Sequence, residues 1–113
     1  CHNGPNFTDE SFHNIGVNDA DRGRQEISDS AGMQGAFKTP GLRNVWLTAP
    51  YMHDGSEHSL EAVIRFYDRG GDKKQGLDKL IKPLDLSEAE ISDLLAFLSA
   101  LTDPVTIERP KIP

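Results

Sequence analysis

The chain has 113 residues, 36% of them hydrophobic, a formal charge of −6 and one cysteine. One compact domain fits this length. The acidic balance excludes a surface that neutralises nucleic-acid phosphates, no apolar run reaches membrane-spanning length, and a lone cysteine excludes an internal disulfide framework.

Taken in chain order, Cys1-His2 matches the last two positions of C-x-x-C-H. In that pattern two thiols form thioethers to haem and the histidine binds its iron. The pair equally matches a free cysteine beside a surface histidine at a terminus. A chain that starts inside a motif and without methionine is expected to be a fragment. Residues 8–14 read as a short helical turn, closed by Gly16. Residues 17–36 are polar and glycine-containing and predict an extended surface loop. Residues 37–58 are dense in turn formers, and Pro40, Gly41, Pro50 and Gly55 forbid long regular elements there.

A helix is predicted from Ser59, a good N-cap with Glu61 in the first turn. Leu60, Val63, Ile64 and Tyr67 share one face, and Arg69-Gly70-Gly71 ends the helix. Leu77, Leu80, Ile81 and Leu84 suggest a short helical turn broken at Pro83. Ser87-Glu88-Ala89-Glu90 is a capping box opening a second helix, with Ile91, Leu94, Leu95, Leu98 and Leu101 as its stripe and Pro104 as its stop. No alternating strand pattern is long enough to matter. The expected fold class is all-α with long loops. The expected domain is 1–103, followed by an extended tail at 104–113 that carries three prolines.

The decisive stretch is Phe37-Lys38-Thr39-Pro40-Gly41-Leu42-Arg43-Asn44, followed by Leu47-Thr48-Ala49-Pro50-Tyr51-Met52-His53-Asp54-Gly55. Together with Cys1-His2-Asn3-Gly4, Phe7 to Asn14, the Ser59-capped helix and the closing helix at 87–102, it resembles the C-terminal haem domain of bacterial di-haem cytochrome c peroxidases and MauG-like proteins. The resemblance covers almost the whole chain. It implies a cytochrome c-like domain around one covalently attached haem c, which would also supply apolar volume that a lean core lacks.

Site roles follow from that resemblance. Cys1 would hold one thioether, and His2 would be the proximal iron ligand. The opposite ligand of the family's peroxidases is a methionine on the helix after H-D-G. The matching position here is Tyr67, as in MauG-like proteins, with Met52 the alternative ligand and a hydroxyl bonded to backbone the alternative role for Tyr67. A phenolate is a hard donor that favours ferric iron, whereas thioether sulfur raises the potential. Thr48 and Pro50 match positions whose backbone carbonyls help hold calcium between two haem domains. Arg43 is a candidate to grip a haem propionate, or else a surface ion-pair partner. His53 is expected to position pocket groups or its loop, His13 to be a satisfied structural histidine, and His58 to face solvent. Trp46 is expected near the haem edge or at a domain interface.

The implied function is electron relay to or from a second haem that reduces hydrogen peroxide, in an N-terminal domain of the same protein. Its partners would be a small electron-donor cytochrome or cupredoxin, or a protein substrate, and its setting the periplasm. No group in this stretch forms an open peroxide site with its own acid and base, so no catalytic residue is assigned and the stretch alone is not expected to catalyse. A monohaem electron carrier and a haem-free helical interaction module are the other classes. A second C-x-x-C-H upstream favours the di-haem enzyme over the carrier.

Overall fold

The computed structural model describes residues 1–18, 20–72 and 76–103. The tail expected at 104–113, and Pro104 as a helix stop, lie outside the described residues. In chain order the elements are strand β1 (Phe12–His13), helix α1 (Gln25–Ser28), a 3-10 turn (Ala31–Met33), strand β2 (Phe37–Lys38), a second 3-10 turn (Val45–Leu47), and helices α2 (Leu60–Asp68) and α3 (Glu88–Ala100).

The all-α expectation is corrected by this order. Among the described residues only α2 and α3 run beyond four residues, and β1 and β2 form a two-stranded antiparallel sheet with Phe12 opposite Lys38 and His13 opposite Phe37. Residues 8–14 therefore hold a strand where a helical turn was expected. Thr39 N–H extends the ladder to Ser11 O at 2.9 Å, and Lys38 Nζ meets Glu10 at 2.6 Å. The chain can close this pairing because Gly23 brings its backbone against Ala36. A side-chain carbon at Gly23 would lie 2.5 Å from Ala36 O, and its φ is +54°. The loop expected at 17–36 is thus broken by one turn of α-helix and one of 3-10 helix. The turn expected around Leu77 to Leu84 is not helical, and Leu80 is 58% exposed.

α2 begins as its sequence dictates, with Ser59 Oγ accepting the Ala62 N–H at 3.1 Å. Phe66, Ile64 and Leu60 are buried, and Phe66 at 1% exposure anchors the core with Ile91 and Ala36. The helix ends where Gly70 and Gly71 return their N–H groups to Tyr67 O and Phe66 O. Gly71 has φ +75°, and any side chain there would meet Ile15 O at 2.6 Å. Asp68 then receives the chain again, its Oδ1 accepting Leu86 N–H and its carbonyl accepting Leu84 N–H.

α3 opens with a complete capping box between Ser87 and Glu90 and packs on α2. Arg65 forks onto Glu88 at 3.1 and 2.8 Å while also bonding Glu61, which pins the two helices together at their polar edge. At the other end, Asn44 adopts a left-handed conformation. Its N–H reaches Leu101 O, and its side-chain oxygen accepts Asp103 N–H. The loop before α2 is thereby fastened to the end of α3. Among the described residues, no helix is long and apolar enough to cross a membrane.

Candidate functional site

Between the N-terminal loop, the 37–53 loop, α2 and α3 lies a cavity of about 720 Å³. Its volume falls in the range of cofactor and ligand sites, and most of its lining is apolar, including Ile15, Leu42, Val45, Leu60, Val63 and Leu98. The seven residues to which the resemblance gives ligand or cofactor roles line it: Cys1, His2, Arg43, Thr48, Pro50, Met52 and Tyr67. They come from three separate stretches of chain, the N-terminal loop, the 37–53 loop and α2.

His2 stands at the start of the N-terminal loop. Its Nδ1 is 3.1 Å from the Phe7 carbonyl, which can only accept, so that nitrogen carries a proton, and Nε2 is left as the nitrogen that could meet a metal. The Cys1 thiol is half-buried and unpaired. Tyr67 is half-buried on α2, edge-on to Phe66 at 5.5 Å, and burial pushes its phenol above the ordinary value. Among the described residues its hydroxyl has no hydrogen-bond partner. Tyr51, by contrast, donates to Val45 O at 3.1 Å. Met52 is half-buried with φ +69°. Thr48 uses its hydroxyl on Val45 O, and neither the Thr48 nor the Pro50 carbonyl accepts a bond from a described residue. Arg43 is exposed; its Nη2 donates to Pro5 O at 2.8 Å and its guanidinium lies 5.4 Å above the Phe7 ring.

His13 also faces the cavity, bracketed by carboxylates: Nε2 lies 2.8 Å from Asp9 and Nδ1 2.6 Å from Asp78. Two acceptors require two N–H donors, so the ring is held as imidazolium. The Asp78 bond raises the His13 pKa, with Asp9 adding to it. In return His13 holds Asp78 below its ordinary value, and Asp9 is lowered first by the Ser11 N–H and then by His13 and Thr39. Cys1, Asp9 and His13 bring ligand atoms within 4.8 Å of one another. With both His13 nitrogens protonated, that trio does not offer a metal an imidazole lone pair.

His53 stacks on Phe37 with centroids 3.7 Å apart and planes 11° from parallel, and Asn18 donates to Asp54 at 2.8 Å. The H-D-G element is thus clamped to β2 and to the early loop. His58 is exposed, and Trp46, 46% exposed, is not among the cavity residues. Sequence reasoning missed Phe7, whose φ of +52° aims a carbonyl at His2. No residue pattern marks an aromatic side chain for left-handed backbone.

The donor set can be tested against an iron porphyrin. An imidazole whose Nε2, like the Tyr67 phenol, has no hydrogen-bond partner among the described residues and a thiol border one large apolar cavity, with a guanidinium on the same lining. Those residues fit a covalently held haem.

Searched against family models, the chain matches none. It is 45% identical over 117 residues to the methylamine utilization protein MauG of Methylorubrum extorquens, covering 100% of this chain and 33% of that protein. It is 33% identical over 147 residues to the cytochrome-c peroxidase IdrP1 of Denitromonas iodatirespirans, covering 100% of this chain and 39% of that protein. A crystal structure of a MauG-like protein associated with microbial copper homeostasis superposes with a TM-score of 0.76 at 40% identity, over 82% of this chain and 35% of that one. The chain therefore spans about a third of the length of these relatives.

Proposed function

The chain belongs to the family of MauG and cytochrome-c peroxidase proteins, and from that premise we propose that it is the haem c-bearing relay segment of a di-haem oxidoreductase. Haem c bound here would store and pass single electrons. His2 would hold the iron through Nε2, oriented by its bond to Phe7 O. Cys1 would anchor the macrocycle by a thioether. Tyr67 would offer its phenol as a second iron ligand, with Met52, also on the lining, as the alternative. Arg43 would offer its remaining N–H groups to a propionate, and the Thr48 and Pro50 carbonyls would serve calcium at the junction with an N-terminal haem domain.

The observation that carries this reading is the Tyr67 hydroxyl, without a hydrogen-bond partner among the described residues, on the cavity that also takes in His2 and Cys1. A core tyrosine bonded to backbone would resemble Tyr51, and Tyr67 does not. It favours MauG-like chemistry, in which a partner protein is oxidised, over a peroxidase fed by a small cytochrome or cupredoxin. The expected setting is the periplasm, where haem c is attached in bacteria.

The test is to purify the full-length protein and count haems by the pyridine haemochrome assay, then follow peroxide consumption. Two covalent haems per chain and peroxide-dependent oxidation support the proposal. One haem with reversible electron transfer and no peroxide consumption would replace it by a simple electron carrier.

A further inference from the structure

Phe7 adopts a backbone conformation that its own side chain disfavours. At φ +52° it lies in the left-handed region, which aromatic residues rarely enter without support. Two rings of contact supply that support. The Arg43 guanidinium covers one face of the Phe7 ring at 5.4 Å while Nη2 grips Pro5 O at 2.8 Å. Phe97, projecting from α3, meets the same ring edge-on at 6.1 Å. Backbone bonds from Phe7 N–H to Gly4 O and from Thr8 N–H to Asn3 O close the loop around it. The Phe7 carbonyl ends 3.1 Å from His2 Nδ1.

We propose that Arg43 is a positioning residue for His2, acting through Phe7: by clamping the 3–8 loop it holds the Phe7 carbonyl where it fixes the tautomer and plane of the His2 ring. The inference rests on the reading of His2 as the iron ligand and deepens it. A bond from Nδ1–H to a carbonyl raises the basicity of the other ring nitrogen. A stronger imidazole donor stabilises ferric iron and lowers the potential. This role is separable from any contact of Arg43 with a propionate, because Phe7 carries no charge.

The experiment compares Phe7→Gly with Phe7→Ala in the full-length, haem-loaded protein. If the ring only filled space, glycine would do at least as much damage as alanine. If the conformation matters, glycine keeps the left-handed turn at no steric cost, and alanine without the clamp relaxes out of it. The expected result is an upward shift of the midpoint potential and altered ferric EPR g-values in Phe7→Ala, a smaller change in Phe7→Gly, and a shift of the same sign in Arg43→Gln. Phe97→Leu, at a residue 47% exposed, loosens the clamp from the other side and should shift the potential in the same sense even if Phe7→Ala fails to accumulate. Equal shifts in Phe7→Gly and Phe7→Ala, or a shift in Arg43→Gln with none in Phe7→Ala and Phe97→Leu, would overturn the positioning role while leaving the haem reading intact. Wild-type protein without covalent haem would overturn both.

Discussion

Asp78 accepts the Nδ1 proton of His13 at 2.6 Å, joining the loop after α2 to the first strand across 65 residues of sequence. Because Asp9 takes the other ring nitrogen, this pair works only while the imidazole is charged. His13 has its pKa raised above the ordinary 6.5, so the stability it contributes is complete below 6.5 and is lost as pH rises through the raised value. Asp78, lowered from 3.8, contributes above 3.8 and loses its share as pH falls through its depressed value. His13→Gln is therefore expected to cost about 1–3 kcal/mol near pH 6, the scale of charged hydrogen bonds. The cost should shrink on both the acid and the alkaline side. Urea midpoints of variant and wild type across pH check this, and a pH-independent gap would reject it.

The two tyrosines should separate stability from ligation. Tyr51→Phe removes the bond to Val45 O and is expected to cost about 1 kcal/mol in urea unfolding. Tyr67→Phe breaks no bond to a described residue and should change haem-free stability by less than about 0.5 kcal/mol. In the haem-loaded full-length protein the order reverses for the optical spectrum. Tyr67→Phe should abolish a phenolate-to-iron charge-transfer band, and Tyr67→Met should raise the midpoint potential. Burial alone holds the phenol protonated, so a bound cation is what would favour its anion. An unchanged spectrum in Tyr67→Phe refutes ligation.

Among the described residues, Phe66 is the most enclosed large side chain at 1% exposure. Phe66→Ala is expected to lose about 3–5 kcal/mol, the range for emptying an aromatic site. Because the neighbouring residue on α2 is Tyr67, covalent haem yield should fall with it. Thermal unfolding and haemochrome yield on the same samples provide the check.

Ser87 Oγ accepts the Glu90 N–H, and the Ser87 N–H donates in return to the Glu90 carboxylate. Ser87→Ala should cost about 1 kcal/mol by leaving the first turn of α3 uncapped. Ser87→Asp should restore most of it. Chemical denaturation of the two variants distinguishes a cap from general loss of polarity.

Where a local rule decides the structure, the sequence was readable. Ser59 and Ser87 cap their helices as their positions demand, and Gly70-Gly71 ends α2 as a basic last turn followed by glycine should. The α2 stripe was only half right. Val63 and Tyr67 turn to the cavity, while Phe66, outside the chosen period, carries the core. A helix wedged between a core and a cofactor-sized space buries two faces, and a single-face template sees one. The sheet was invisible for a different reason. Two residues cannot show an alternation, and the pairing of His13 with Phe37 is decided by how Gly23 meets Ala36, a contact between distant chain segments. The cavity residues were found through motif likeness. The supports around them, Phe7 under Arg43 and Phe37 against His53, depend on backbone angles and ring placement that no spacing encodes.

Gly71 gives the site its scale. With no side chain, the end of α2 settles directly on the Ile15 carbonyl, while Ile15 and Tyr67 both look into the same hollow. A single methyl group at Gly71 would act as a shim, prising the tyrosine-bearing helix from the wall it rests on. Gauge between the two sides of the chamber is thus set by a hydrogen atom.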